Sequence, residues 1–177
     1  MPRTRYDALT LSLHWLIALL IAAIYALGYG RELMPKGDLR TGFMMLHMSL
    51  GLACVMLVGV RISWRLAAPP PAPIETSRTA HLAARATHLV LYALMILAPV
   101  TGLAASWIKG RAVGFFGLPL PSPFMVDVPF GKFLENVHEF AANGMLALIG
   151  LHVAAALGHH YILGDGMLRR MLPLRAS

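Results

Sequence analysis

The chain has 177 residues and eight histidines, five of which lie within or at the edge of long apolar stretches. An ionisable side chain in a membrane-type stretch is costly, so it usually faces the interior of a helix bundle and has a partner or a task. Imidazole binds metals and also titrates near neutral pH, so metal ligation and proton transfer are the two chemistries to consider. The five residues are His14, His47, His88, His138 and His152.

Two of these histidines share one apolar stretch. His138 and His152 are fourteen residues apart, close to four helical turns, so both project from nearly the same face. At a rise of about 1.5 Å per residue, they lie about 21 Å apart along the axis. The spacing predicts one helix with imidazoles at two depths. Gly144 and Gly150 lie close to that face, and close helix packing explains them as well as contact with a flat cofactor does.

The composition indicates a membrane protein. The chain is 58% hydrophobic and 13% charged, whereas soluble domains are about 45–50% apolar and about 25% charged. A transmembrane helix needs about 20 apolar residues, and four stretches meet that criterion. The sequence therefore predicts an all-α membrane protein, a four-transmembrane-helix bundle forming a single domain over residues 1–177. The predicted spans are residues 8–30, 41–60, 86–108 and 136–163.

The loop charges predict the orientation of these spans. Four spans place both termini on one side, which carries nine of the 15 Lys and Arg residues, against six on the other side. The positive-inside rule then predicts cytoplasmic N- and C-termini. The net charge of +7 could suggest a nucleic-acid binder, but the basic residues punctuate apolar runs instead of clustering on a solvated face. No nucleic-acid partner is expected.

Two connecting segments have distinctive compositions. Residues 67–73 are rich in proline and are predicted to form a stiff spacer between the second and third spans. The outer loop at residues 109–135 combines Phe, Gly and Pro, a composition that favours irregular backbone at the membrane interface. We expect this loop to act as an interfacial anchor more than as a lid over a cofactor.

Depth within the spans selects partners for four histidines. His14 lies about six residues into a helix that enters from the cytoplasm, and His47 lies equally far into one that enters from outside. On the fourth helix, His138 is the outer residue and His152 the inner one. The predicted pairs are therefore His47 with His138 in the outer half and His14 with His152 in the inner half.

Two facing imidazoles at each of two depths suit bis-histidine ligation of two non-covalent haems. A closed zinc site fits less well, because it needs four ligands at one depth. The single cysteine, Cys54, excludes a Cys-x-x-Cys attachment of haem. A lone intramembrane histidine is more often a hydrogen-bonded core residue or a proton-handling group, and it is the matching depths of four that favour haem.

The order of these residues resembles the bacterial cytochrome b561 family. The matching motifs are His14-Trp15, His47-x-x-x-Gly51, His138-Glu139, Gly150-Leu151-His152 and His159-His160-Tyr161. The resemblance covers nearly the whole chain and implies a transmembrane cytochrome b domain in the bacterial inner membrane. It implies two haem b groups whose iron is held by His14, His47, His138 and His152. It also implies electron exchange with ubiquinone and, in one branch of the family, superoxide as the periplasmic donor.

The resemblance gives no clear match for a quinone site, so the candidates come from position. His159 is seven residues beyond His152, on almost the same face and about 10 Å nearer the cytoplasm. His88 enters the third span from the same side. Either residue could hydrogen-bond or protonate a quinone beside the inner pair, although an interfacial histidine bonded to backbone or lipid headgroups would explain His88 equally well. His81 is predicted to be a solvated linker residue, and His160 is unassigned.

Three functions are compatible with this pattern. The leading hypothesis is a superoxide:ubiquinone oxidoreductase-like protein that takes electrons from a periplasmic-side donor. The second is a cytochrome b electron-transfer subunit for a docked redox partner, and the third is a proton or metal transporter with a histidine relay. The outer side has six basic and five acidic residues, a net charge of +1, so membrane anchoring explains its cations as well as an anion funnel does. The sequence indicates no oligomeric state.

Overall fold

The computed structural model describes residues 5–68, 71 and 77–172. Four long helices contain most of these residues, and each is long and apolar enough to cross a membrane. The predicted all-α fold, a four-helix membrane bundle, is confirmed. The helices are α1 Ala8–Glu32, α2 Asp38–Ala67, α3 Arg78–Ile108 and α4 Val128–Tyr161. Most of the predicted proline-rich spacer lies outside the described residues.

The helices extend beyond the spans expected from hydropathy because polar residues cap them. Ser77 accepts a hydrogen bond from the Ala80 N–H and starts α3 at Arg78, so His81 lies in the first turns of a helix and not in a linker. Asp127 accepts from the Phe130 N–H, and a proline in the first turn starts α4 at Val128, eight residues before the predicted span. Hydropathy identifies the apolar part of a helix but does not identify its polar ends.

The bundle is made of two helical hairpins. α1 packs on α2, α3 packs on α4, and the two hairpins meet mainly where α2 contacts α3. In the described part of the chain, α1 and α4 are bridged by side chains instead of close backbone packing. Tyr25 Oη donates to the Ala142 carbonyl, and Tyr29 Oη donates to Asn143 Oδ1 at 3.0 Å. This arrangement leaves space between the helices.

Few side chains are fully buried. The core cluster consists of Ile17, Ile21, Cys54 and Val58 at the contact of α1 with α2. Large apolar residues cover the outward faces, and Phe140, for example, is 82% exposed. An outward apolar surface of this extent is costly in water but is the expected surface of a protein solvated by lipid.

The loop between α3 and α4 is fixed to α2 through one hydroxyl group. It contains a short antiparallel hairpin, β1 Gly114–Phe115 with β2 Leu118–Pro119. The buried Ser49 Oγ accepts a hydrogen bond from the Phe116 N–H at 2.9 Å. Its single proton faces the Met45 carbonyl at 2.9 Å and the Gly114 carbonyl at 3.3 Å. Trp107 Nε1 also donates to the Leu120 carbonyl. The loop is thus a folded cap on the end of the bundle.

Candidate functional site

The four histidines predicted as ligands lie as two pairs, one towards each end of the bundle. The rings of His47 on α2 and His138 on α4 face each other, with centroids 6.2 Å apart and planes inclined at 82°. The rings of His14 on α1 and His152 on α4 have centroids 6.5 Å apart and planes inclined at 66°. All four side chains are half-buried. Each level therefore presents two imidazoles that come from different helices.

Backbone carbonyl groups orient both rings of the outer pair. His47 Nδ1 lies 2.9 Å from the Ile24 carbonyl oxygen on α1, and His138 Nδ1 lies 2.7 Å from the Ala98 carbonyl oxygen on α3. A carbonyl oxygen only accepts hydrogen bonds, so Nδ1 carries the proton in each ring and Nε2 keeps its lone pair. This is the usual support of a metal-ligating histidine. The outer pair is thus two imidazoles oriented by the backbones of the neighbouring helices, with Nε2 as the nitrogen available to a metal.

Two glycines let these rings approach the neighbouring helices. A Cβ atom on Gly102 of α3 would lie 2.8 Å from His138 Nδ1, a distance at which the ring would have to move. A Cβ atom on Gly28 of α1 would lie 3.2 Å from His47 Cε1. The close contact at Gly102 is what places the His138 ring against the Ala98 carbonyl, one helical turn earlier on α3.

The sequence contained a signal for these glycines that was missed. The fourteen-residue spacing seen on α4 recurs on every helix, so that each helix presents one residue at each of the two levels. These pairs of positions are His14 and Gly28 on α1, His47 and Arg61 on α2, His88 and Gly102 on α3, and His138 and His152 on α4.

Gly144 and Gly150, which the sequence had suggested as packing or cofactor positions, have a different environment. A Cβ atom on either would meet no heavy atom within 4 Å in the described part of the chain. Close packing against another helix of the bundle therefore does not account for these two glycines.

A cavity of about 430 Å³ lies between the helices at the level of the outer pair. Small-molecule and cofactor sites occupy about 300–1,000 Å³ and are mostly apolar with a few polar groups. The lining is of this kind: apolar side chains from all four helices surround the two histidines, and the tyrosines that bridge α1 and α4 lie at one side. Residues that line it include His47, His138, Gly28, Gly51, Gly102 and Met48.

Ion pairs occupy the outer rim of this cavity. The Glu135 carboxylate is bonded to Lys109 at 2.8 Å, Arg111 at 3.1 Å and Lys132 at 2.7 Å. Glu32 pairs with Arg31 at 2.8 Å and with Arg40 at 2.9 Å. Five of the six outer basic residues are therefore engaged with acids, although Arg31 and Arg111 also line the cavity.

The inner pair has different neighbours. The ring of Trp15 packs on His14 with centroids 5.3 Å apart, and its Nε1 donates to the Met171 carbonyl at 2.7 Å. The ring of His88 on α3 packs on His152 with centroids 5.4 Å apart. The structure thus places His88, one of the two quinone-side candidates, directly against a predicted ligand.

The other quinone-side candidate, His159, forms a dyad with a carboxylate. His159 Nδ1 lies 2.5 Å from Asp165 Oδ2, and Asp165 Oδ1 accepts from the Met167 N–H at 2.9 Å. Partial burial would raise the pKa of the Asp165 carboxyl, but the bonds from Met167 and His159 outweigh it and lower that pKa below its usual value. The helical spacing of the sequence gives no signal for this contact, because it forms through a turn after α4.

The outer level fits a non-covalently bound haem b. In the described residues its two Nε2 atoms make no hydrogen bond, glycines keep space beside the rings, and the cavity is largely apolar. Arg31 and Arg111 border it together with their ion-pair partners Glu32 and Glu135. Axial imidazoles and a largely apolar pocket are features that bind a haem and tune it. The inner level offers the same two ligand groups.

Comparison with known proteins gives matches along almost the whole chain. A family model described as prokaryotic cytochrome b561 matches residues 5–174. Probable superoxide oxidase CybB of Yersinia pestis is 33% identical over 171 residues, 96% of each chain. Cytochrome b561 homolog 2 of Escherichia coli is 32% identical and covers 98% of this chain and 94% of its own length. Cytochrome b562 of Cereibacter sphaeroides is 30% identical over 94% of each chain.

The contact between Gly102 and His138 predicts the effect of one methyl group. The substitution Gly102→Ala should displace the His138 ring and break its bond to Ala98, although alanine favours the helix by about 1 kcal/mol over glycine. We expect the purified variant to lose about one haem per chain in a pyridine haemochrome assay. Gly59→Ala, on an exposed face of α2 where a Cβ atom meets nothing within 4 Å in the described residues, is the matched control and should keep the wild-type haem content. Full haem content in Gly102→Ala would contradict the assignment of His47 and His138 as haem ligands.

Proposed function

Because this chain belongs to the prokaryotic cytochrome b561 family, we propose that it holds two haem b groups and moves electrons between a periplasmic-side donor and ubiquinone. Family membership makes it a haem b-binding, multi-pass bacterial membrane protein with an electron-transfer role. The observation that carries the two-haem proposal is the presence of two imidazole pairs at two levels, with ring centroids 6.2 and 6.5 Å apart.

Four side chains would hold the cofactors. His47 and His138 would be the axial ligands at the outer level, and His14 and His152 those at the inner level. When bound, haem b supplies an iron centre that gains and loses one electron at a time. The carbonyls of Ile24 and Ala98 hold the outer imidazoles in one tautomer and orientation, so little rearrangement is needed when the charge of the site changes.

Superoxide is the donor in this proposal, and the support for it is that one relative is named as a probable superoxide oxidase. Two superoxide anions would each give up one electron and become dioxygen. One ubiquinone would take those two electrons and two protons and become ubiquinol. The apolar bundle keeps the two reactants on opposite sides, and the residues of this chain must supply protons only where ubiquinone is reduced.

We place ubiquinone reduction at the end of the bundle that carries the His159–Asp165 dyad. Asp165 Oδ2 accepts a hydrogen bond from the His159 Nδ1–H, so His159 could pass a proton from Nε2 to a quinone oxygen while its Nδ1–H stays bonded to the carboxylate. His88, whose ring packs on that of His152, remains a candidate neighbour of the quinone headgroup. The charge bias of the loops supports cytoplasmic termini and insertion in the inner membrane.

Single-ligand variants test the two-haem arrangement. Wild-type protein should contain two haem b groups per chain in a pyridine haemochrome assay. His138→Ala and His47→Ala should each lose the same haem, whereas His14→Ala and His152→Ala should lose the other, as judged from the α-band of the remaining haem. His81→Ala, on the exposed start of α3, is the control. One haem per chain in the wild type would refute the two-level proposal.

The donor is tested by generating superoxide enzymatically beside the purified protein with a soluble ubiquinone analogue. We expect quinol formation that depends on the protein and disappears when superoxide dismutase is added. His138→Ala should reduce the rate to that of the uncatalysed reaction. If superoxide does not reduce the haem and no quinol forms above the background rate, the protein would instead be an electron-transfer subunit that requires a docked redox partner.

The dyad predicts a separate effect on the quinone side. Asp165→Asn removes the carboxylate that supports an imidazolium at His159, and we expect ubiquinone reduction to slow by about 10-fold or more. The pKa of Asp165 is lowered, so its support is lost only as the pH falls through that pKa, and the effect should persist across the neutral range. Haem spectra should not change. Asp38→Asn is the control, and a wild-type quinone rate in Asp165→Asn would refute the role.

A further inference from the structure

The two imidazole pairs are supported by different kinds of contact. At the outer level, Gly102 has no side chain, and the His138 ring reaches the backbone of α3 and bonds to the Ala98 carbonyl at 2.7 Å. At the inner level, the position fourteen residues earlier on the same helix is His88. A side chain thus occupies the place that a glycine leaves open at the outer level.

At the inner level, the His88 side chain provides the contact of α3 with the His152 ring. Its ring centroid lies 5.4 Å from that of His152, and the two planes are inclined at 67° in an edge-on arrangement. Aromatic rings favour such edge-to-face contacts at centroid distances of about 4.5–7 Å. In the described part of the chain, neither His14 nor His152 has a hydrogen bond to its ring nitrogens comparable to those of the outer pair. Ring packing by His88 is therefore the contact from α3 that restrains the His152 ring.

The orientation of an axial imidazole has an electronic consequence. Second-shell contacts fix the plane of a ligating ring and tune the metal. In a bis-histidine ferric haem, the angle between the two imidazole planes sets the splitting of the iron d orbitals and hence the g values of the low-spin signal. At the inner level, that angle is 66° between the rings of His14 and His152.

We propose that His88 is a positioning residue that sets the plane of the His152 ring through edge-on ring packing, and thereby the electronic structure of the inner site. The inference rests on the proposed function, because it requires a haem between His14 and His152. It assigns to His88 a role that depends on its ring and not on its ring nitrogens.

Electron paramagnetic resonance of the oxidised full-length protein tests this role with two variants of His88. The signal of the inner haem is the one that disappears in His14→Ala. His88→Ala removes the ring and should shift the low-field g value of that signal while leaving the outer signal unchanged. His88→Phe keeps a ring without nitrogens and should restore the wild-type g value. His81→Ala, seven residues earlier on α3, is the control and should change neither signal.

Two results would overturn the inference. One is an unchanged inner signal in His88→Ala, and the other is a phenylalanine variant whose signal is displaced as far as that of the alanine variant. If His88→Ala loses the inner haem, the test rests on His88→Phe. A wild-type g value of the inner haem in that variant supports ring packing, and a displaced g value refutes it. The proposed function fails separately, through a wild-type protein with one haem per chain.

Discussion

A neutral imidazole inside an apolar bundle must have a partner for its N–H group, and the outer pair meets this constraint across each helical hairpin. His47 on α2 bonds to Ile24 on α1, and His138 on α4 bonds to Ala98 on α3. Each hairpin therefore carries one oriented ring, and the meeting of the two hairpins brings the rings to 6.2 Å. The glycine at position 102 is needed for that geometry, because a side chain there would displace the His138 ring.

The distribution of charge separates two tasks. Ion pairs around Glu135 and Glu32 neutralise most of the basic residues at the outer end, so these residues fix the rim of the cavity more than they provide a strong field for anions. At the other end, the Asp165 carboxylate is directed at His159, where a positive charge would accompany proton transfer. The protein thus has a rim of paired charges at one end and the His159–Asp165 dyad at the other.

Much of the architecture was predictable because membrane insertion imposes strong sequence patterns. Apolar stretches longer than about 20 residues can only be helices in lipid, so four spans followed directly from hydropathy. Helix ends were less predictable, since Ser77 and Asp127 extend α3 and α4 through short-range hydrogen bonds that hydropathy does not register. The hairpin between these helices was also missed, because Ser49, its anchor, lies 65 residues before Gly114 in the chain.

The sequence by itself determined which histidines share a helix face and a depth, because helical periodicity and a bilayer of fixed thickness leave little freedom in either. The fourteen-residue spacing also placed Gly102 and His88 at these two depths, but it could not determine which ring each of them contacts. Gly102 against His138, His88 against His152 and Asp165 against His159 are contacts whose geometry depends on how two helices cross or how a turn folds back. Only the tertiary structure decided these neighbours, and they distinguish two levels that have the same pair of residues in the sequence.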